Sequence, residues 1–159
     1  METSKKTIIV FSGDYDRAIA AFIIANGAAA MGDQVTMFFT FWGLNILRKP
    51  NRVKTQGKSL LQKMFGWMMP RGAGKLGLSK MNFLGLGPIL MKKAMRDKNV
   101  MSLEDLIASA RRQGVKLVAC TMSMDVLGIA KEELFDDIEY AGVASYLAEA
   151  NEANVNLFI

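Results

Sequence analysis

Apolar residues in this chain fall into short continuous runs separated by segments with helical spacing. Thr7 to Phe11, "TIIVF", is an apolar, β-branched run that stops at Ser12-Gly13, and Asp14 stands as an N-cap before "YDRAIAAFIIANGAAAMG". Gly32-Asp33 turns the chain into a second run, Gln34 to Phe39, whose apolar character continues into "TFWGLNIL". After a break the periodicity returns at "NVMSLEDLIASARRQG". There Ser102 and Asp105 have capping-box spacing, Leu103, Leu106 and Ile107 form an apolar stripe, and Gly114 closes the helix. "VKLVAC" is a third strand, with a helix expected from about Ser123. "DIEYAG" is a fourth strand, "VASYLAEANEA" a helix and "NVNLFI" a fifth strand. Strands that are apolar throughout, alternating with helices, are those of a sheet covered on both faces. The expectation is an α/β fold: three α/β/α layers around a five-stranded, mainly parallel sheet of flavodoxin-like type, with strand order 2-1-3-4-5.

The break after the second strand has its own composition. Residues 48–98 hold 13 of the 20 Lys/Arg, one acidic residue (Asp97), all three prolines and 7 of the 14 glycines, so they read as an insertion within a single domain spanning 1–159. The remaining chain has 7 basic and 14 acidic residues, so the net charge of +5 describes a basic insertion on an acidic domain. Within the insertion, "LLQKMFGWMMP" and "MNFLGLGPILMKKAM" interleave Met, Leu, Phe and Trp with lysines. This is amphipathic rather than merely basic. Three uses suit it. Nucleic-acid binding is disfavoured, because there is no reading module and more Met and Leu than a phosphate-binding surface needs. Peripheral membrane contact through residues 60–95 fits a basic amphipathic segment whose apolar runs are too short to span a bilayer. A lid or subunit interface fits as well and is preferred, since methionines and aromatics pack adaptably.

The residue inventory narrows the chemistry. There is no histidine and one cysteine, Cys120, so no internal disulfide, Cys/His zinc site, histidine base or Cys-His couple is available. The opening "METSKKTIIV" shows no signal-peptide pattern, and a cytoplasmic location is expected. The first loop, "SGDYD", is acidic and lacks a phosphate-binding run, so no nucleotide cofactor is expected, and without histidine or a second cysteine no metal is expected either.

Cys120 is the last residue of the third strand. In open parallel sheets, ligand sites lie outside the carboxyl ends of the strands where the strand order reverses. With order 2-1-3-4-5, Cys120 faces Ser12, Gly13 and Asp14 across one crevice. The backbone N–H groups that open the next helix, in the stretch Thr121, Met122, Ser123, Met124 and Asp125, then favour a thiolate through the helix dipole and direct hydrogen bonds. Phe41 and Trp42 are expected as a pocket wall or, equally, as core residues. An unpaired cysteine is equally often an inert small hydrophobe, and the residues alone leave the two readings level.

The stretch Cys120-Thr121-Met122-Ser123-Met124-Asp125-Val126-Leu127-Gly128 tips the balance. Together with "FSGDYDRAIAAFIIANGAAAMGDQVTMFFTFWGLNIL" and the Met/Gly/Lys-rich middle, it resembles the DsrE/DsrF-like sulfurtransferase family, more narrowly the branch called DsrE2-like or peroxiredoxin-family. The resemblance implies a cytoplasmic α/β/α protein that forms homo-oligomers and carries sulfane sulfur as a persulfide on Cys120. It also implies rhodaneses and TusA-type sulfur carriers as transfer partners. The alternative is a non-catalytic assembly module, peripheral at a membrane. The peroxidase label loses ground on the residues, because "GVKLVAC" lacks the Pro and Thr that peroxiredoxins place before their cysteine. "CTMSMD" likewise lacks the Gly and Arg of a rhodanese loop.

Overall fold

Five of the apolar runs pair into one sheet in the computed structural model, which describes residues 3–159. The strands are β1 (Lys5–Val10), β2 (Gln34–Phe39), β3 (Lys116–Cys120), β4 (Glu139–Ala141) and β5 (Val155–Phe158), all parallel to their neighbours. Helices α1 (Tyr15–Ala30), α2 (Leu60–Met68), α3 (Leu86–Asp97), α4 (Leu103–Arg112), α5 (Thr121–Leu127) and α6 (Val143–Glu152) connect them. The α/β class and the parallel sheet agree with the sequence pattern.

The strand order differs from expectation. It is β4-β3-β2-β1-β5, not 2-1-3-4-5. The chain steps one way from β1 through β4, and only β5 returns to the far side of β1. Pairing partners here are more than a hundred residues apart for β1 and β5, with Ile9 opposite Phe158, and no local pattern encodes such a choice.

The two faces are covered unequally. On one, Val10, Phe39, Leu44, Ile46 and Leu117 pack with Phe22 of α1, Leu103 and Ile107 of α4, and Met124 and Leu127 of α5. Buried Ala18, Ala21, Ala25 and Ala28 make a small-residue stripe that brings α1 close to the sheet. Ser102 caps α4 by accepting the Asp105 N–H at 3.1 Å, as its spacing predicts. Among the described residues, the opposite face carries α6 alone, whose Tyr146 packs on Phe38 with ring centroids 5.0 Å apart.

"TFWGLNIL" leaves the sheet as a 3-10 helix, Phe41–Leu47, that buries Leu44, Ile46 and Leu47. Residues 48–98 then form α2 and α3. Ser59 and Gln62 close a capping box on α2, the Ser59 N–H donating to Gln62 Oε1 at 3.1 Å and the Gln62 N–H to Ser59 Oγ at 3.2 Å. Neither α2 nor α3 buries a large apolar side chain, and Leu60, Trp67, Met68, Leu84, Ile89 and Leu90 are exposed.

The part of this segment from Arg48 to Arg71 is tied to the domain by ions, beside the buried Met69, Ala73 and Leu76. Glu133, fully buried, accepts from Lys58 Nζ at 2.5 Å, Arg71 Nη1 at 3.2 Å, Arg48 Nη2 at 3.4 Å and the Ala130 N–H at 2.8 Å. Burial pushes this carboxyl up, but the Lys58 and Ala130 hydrogen bonds and the charges of Lys58 and Arg48 outweigh it and hold the group below the usual glutamate range. A depressed folded-state value means that the stabilisation is complete above the unfolded-state pKa, about 4.3, and is lost as pH falls through the folded value. Glu133→Gln is therefore expected to lower the unfolding free energy at pH 7 by about 3–5 kcal/mol, because it strands buried cations. It should also flatten the acid limb of the stability profile. Urea unfolding across a pH series measures both, and an unchanged midpoint would refute the anchoring role.

Candidate functional site

Cys120 belongs to two elements at once. It is the last residue of β3 and the N-cap of α5, with φ −71° and ψ 114°, so strand passes into helix with no turn between them. The helix starts at Thr121 rather than near Ser123. The Cys120 side chain makes no cap hydrogen bond, so the direct N–H contacts expected to hold the sulfur are not formed.

The thiol is free and buried, with 3% of the residue's surface exposed. Its side chain lies on the α6 face in a small cluster with Phe38, Val118 and Tyr146, bordered by Ile9, Ala141 and Ala150. Tyr146 is held in place by a hydrogen bond of 3.1 Å between its hydroxyl and that of Thr7. A cavity of about 230 Å³ on the same face is lined by Phe38, Val118, Ala141 and Tyr146, with Lys116 and Glu149 at its polar end; Cys120 is not in its wall.

The helix-start residues diverge from the sulfur. Ser123 is buried and shares a 2.7 Å hydrogen bond with Thr40 at the end of β2. Met124 joins the core on the opposite face, Thr121 is half-buried, and Met122 and Asp125 are exposed. The Asp125 carbonyl accepts from Gln62 Nε2 of α2 at 2.9 Å, and a Cβ at Gly128 would meet the Gln62 side chain at 2.5 Å. The insertion thus rests on α5.

Ser12, Gly13 and Asp14 do not face Cys120 across a shared crevice. With β2 between β1 and β3, the loop stands two strand spacings, about 10 Å, from the cysteine. It is satisfied internally: Ser12 Oγ donates to Asp14 Oδ2 at 3.0 Å and accepts the Asp14 N–H at 3.1 Å. A Cβ at Gly13 would sit 2.6 Å from the Trp42 carbonyl oxygen, so glycine here lets the loop close on the end of β2. Phe41 and Trp42 occupy the intervening place. Trp42 is exposed, and Phe41 adopts φ +45°, a conformation costly for a non-glycine residue.

The sequence reading passed over an aromatic row along the carboxyl edge. Phe41 lies 5.7 Å from Phe11, and Phe11 lies 5.8 Å from Phe158, between ring centroids. The available signal was their position at strand ends. Although the strand order is not the expected one, Cys120 still stands where the connections change side. The helix after β3 packs with α1, the helix after β4 packs on the opposite face, and Cys120 pairs with Ala141 between them.

A model of the family described as DsrE/DsrF/DrsH-like matches residues 2–158. The chain belongs to this family. The DsrE-like chain is 61% identical over 158 residues to YrkE of Bacillus subtilis, covering 99% of this chain and 98% of that protein. It is 38% identical over 165 residues to the sulfur carrier protein DsrE2 of Allochromatium vinosum, covering the whole of both. Among solved structures, the ychN protein of E. coli matches with a TM-score of 0.53 at 12% identity, covering 98% of this chain and 99% of that one. MTH1491 of Methanobacterium thermoautotrophicum matches with a TM-score of 0.58 at 11% identity and the same coverage. At these identities the likeness to the solved structures is one of fold.

The burial of the DsrE-like thiol has a direct readout. A bulky disulfide reagent is expected to label Cys120 stoichiometrically only after denaturation, while Tyr146→Ala, at a cost of about 3 kcal/mol, accelerates labelling of the folded protein. Release of the reagent's chromophore follows both. Rapid labelling of the native wild type contradicts the buried placement.

Proposed function

We propose that this protein is a sulfur carrier that holds sulfane sulfur as a persulfide on Cys120 and passes it to the thiolate of an acceptor protein. The observation that carries the reading is the 38% identity, over the whole chain, to a protein named a sulfur carrier. The placement of the one thiol, at a strand end where the connections change side, supports it.

The Cys120 thiolate attacks the outer sulfur of a donor persulfide. A new S–S bond forms, the donor's S–S bond breaks, and the donor leaves as a thiolate. An acceptor thiolate then attacks the outer sulfur on Cys120 and releases Cys120 as thiolate again. Neither step needs an external oxidant or a histidine. With one cysteine in the chain, no resolving thiol is available internally, so donor and acceptor are separate proteins, of the rhodanese and TusA-type classes.

The protein works as a homo-oligomer. One ten-residue helix covers the α6 face of a five-stranded sheet and leaves Phe11, Val143, Leu147 and Phe158 exposed, a surface suited to self-association. Native mass spectrometry after incubation with a persulfide donor reads both claims. The expected result is a multiple of the 17.5 kDa chain, carrying one or more added sulfur atoms per chain in the wild type and none in Cys120→Ala. Equal sulfur addition to both would sink the carrier mechanism.

The exposed face of the insertion favours a second role compatible with the first, peripheral contact with an anionic bilayer surface through residues 60–95. Leu60, Trp67, Met68, Leu84, Ile89 and Leu90 stand free among lysines, as in interfacial amphipathic segments. Among the described residues, no helix is long and apolar enough to cross a membrane. Flotation with anionic liposomes at low salt, declining as salt is raised, is the expected behaviour. Absence of flotation at low salt overturns this role.

A further inference from the structure

Arg48 has no exposed surface, and its hydrogen bonding is incomplete. Nη1 donates to Asn45 Oδ1 and to the Pro70 carbonyl, both at 3.3 Å, and Nη2 to Glu133 Oε1 at 3.4 Å, whereas Nε is buried without a partner. The charges around it are also unbalanced. Arg48, Lys58 and Arg71 all share the single carboxylate of Glu133, which the Ala130 N–H further occupies. Two positive charges in this cluster thus lack a counter-charge. The Arg48 guanidinium is held below the usual arginine value by burial and then by the charge of Arg71, which Glu133 offsets only in part.

A cavity of about 340 Å³ opens beside this cluster, between the loop Gly72–Lys75 and α4. Arg48, Arg71, Lys75 and Arg111 line it, and the carboxylate in its wall is the exposed Glu104. Arg111 is neutralised by Asp137 through bonds of 2.6 and 2.7 Å, while Lys75 makes no ion pair among the described residues. Gly72, at φ +74°, brings the loop backbone against Arg48, since a Cβ there would lie 2.8 Å from the Arg48 carbonyl oxygen. That approach sets Arg71 and Lys75 on the same cavity as Arg48.

We infer that this cavity binds a small divalent inorganic oxyanion of the sulfate, thiosulfate or phosphate type, held by Arg71 and Lys75 beside the buried charge of Arg48. Such an anion supplies the charge that Glu133 alone does not, and its several oxygens can meet the remaining donors of the Arg71 guanidinium and the Lys75 ammonium together. A monoatomic anion offers no such bidentate fit. The site does not contain Cys120, and the inference does not depend on the persulfide reading.

Isothermal titration of the full chain with sodium sulfate, thiosulfate and phosphate, against sodium chloride at matched ionic strength, tests it. Calorimetry is preferred to thermal shift because sulfate and phosphate stabilise proteins non-specifically. Saturable binding of an oxyanion, absent with chloride, is expected. Arg71→Gln and Lys75→Gln should each weaken it about tenfold or more, the loss of one charge-assisted contact. Cys120→Ala should leave it unchanged. Tighter binding of the sulfur oxyanions or of phosphate identifies which of them the site is built for. Lys75 is exposed and unpaired, so Lys75→Gln keeps the fold even if Arg71→Gln does not. No saturable binding, or binding of full strength in Lys75→Gln, overturns the inference.

Discussion

The carboxylate of Glu133 is the point at which a strongly basic segment becomes part of an acidic domain. Arg48 at the start of the insertion, Lys58 before α2 and Arg71 after it all converge on that one group. The helices of this segment bury little that is apolar, with Phe65 and Met95 resting on the core and Met69, Ala73 and Leu76 between them entering it, so the ionic cluster adds to a modest apolar anchorage. Buried ion pairs seldom add much net stability, but they strongly disfavour arrangements in which a charge is left alone. Here that makes the join specific: any other placement of the loop leaves Glu133 or its cations stranded. The 3-10 segment that ends at Leu47 delivers Arg48 to this cluster, and an antiparallel bridge between Arg48 and Leu134 closes the frame.

Much of the architecture was legible because it depends on local pattern. Apolar runs gave the strands, with Gln34–Phe39 matching to the residue, and Ser102 with Asp105 marked the start of α4. The strand order was not legible, because β-sheet partners are selected over long separations by packing. The site shows the same division. That Cys120 ends a strand could be read from "VKLVAC"; which way its side chain points could not. Leu117, Val118 and Ala119 are all apolar and all buried, so a strand covered on both sides offers no alternation from which to read a face. Tyr146, which lies in the same cluster as the thiol, comes from a helix that begins more than twenty residues downstream of it.

The unequal covering of the sheet organises the rest. The α1 face is filled by three helices and the 3-10 segment, and it supplies the larger core. The α6 face is thin and carries the thiol cluster, while the row Phe41, Phe11 and Phe158 runs along the carboxyl edge of the sheet. The larger core and the one thiol therefore lie on opposite sides of one sheet, with β3 common to both.

Because β3 runs into α5 without a turn, Cys120 is fixed from two directions. Its backbone is registered opposite Ala141 in the sheet, and the next peptide is already helical. Loops move because they have free dihedrals to spend, and this junction has none. The cysteine has no hinge on which to swing outward. With its backbone so fixed, the exposure of this sulfur is coupled to the packing of Tyr146, Phe38 and Val118 around it, so α6 is at once a structural helix and the cover of the thiol.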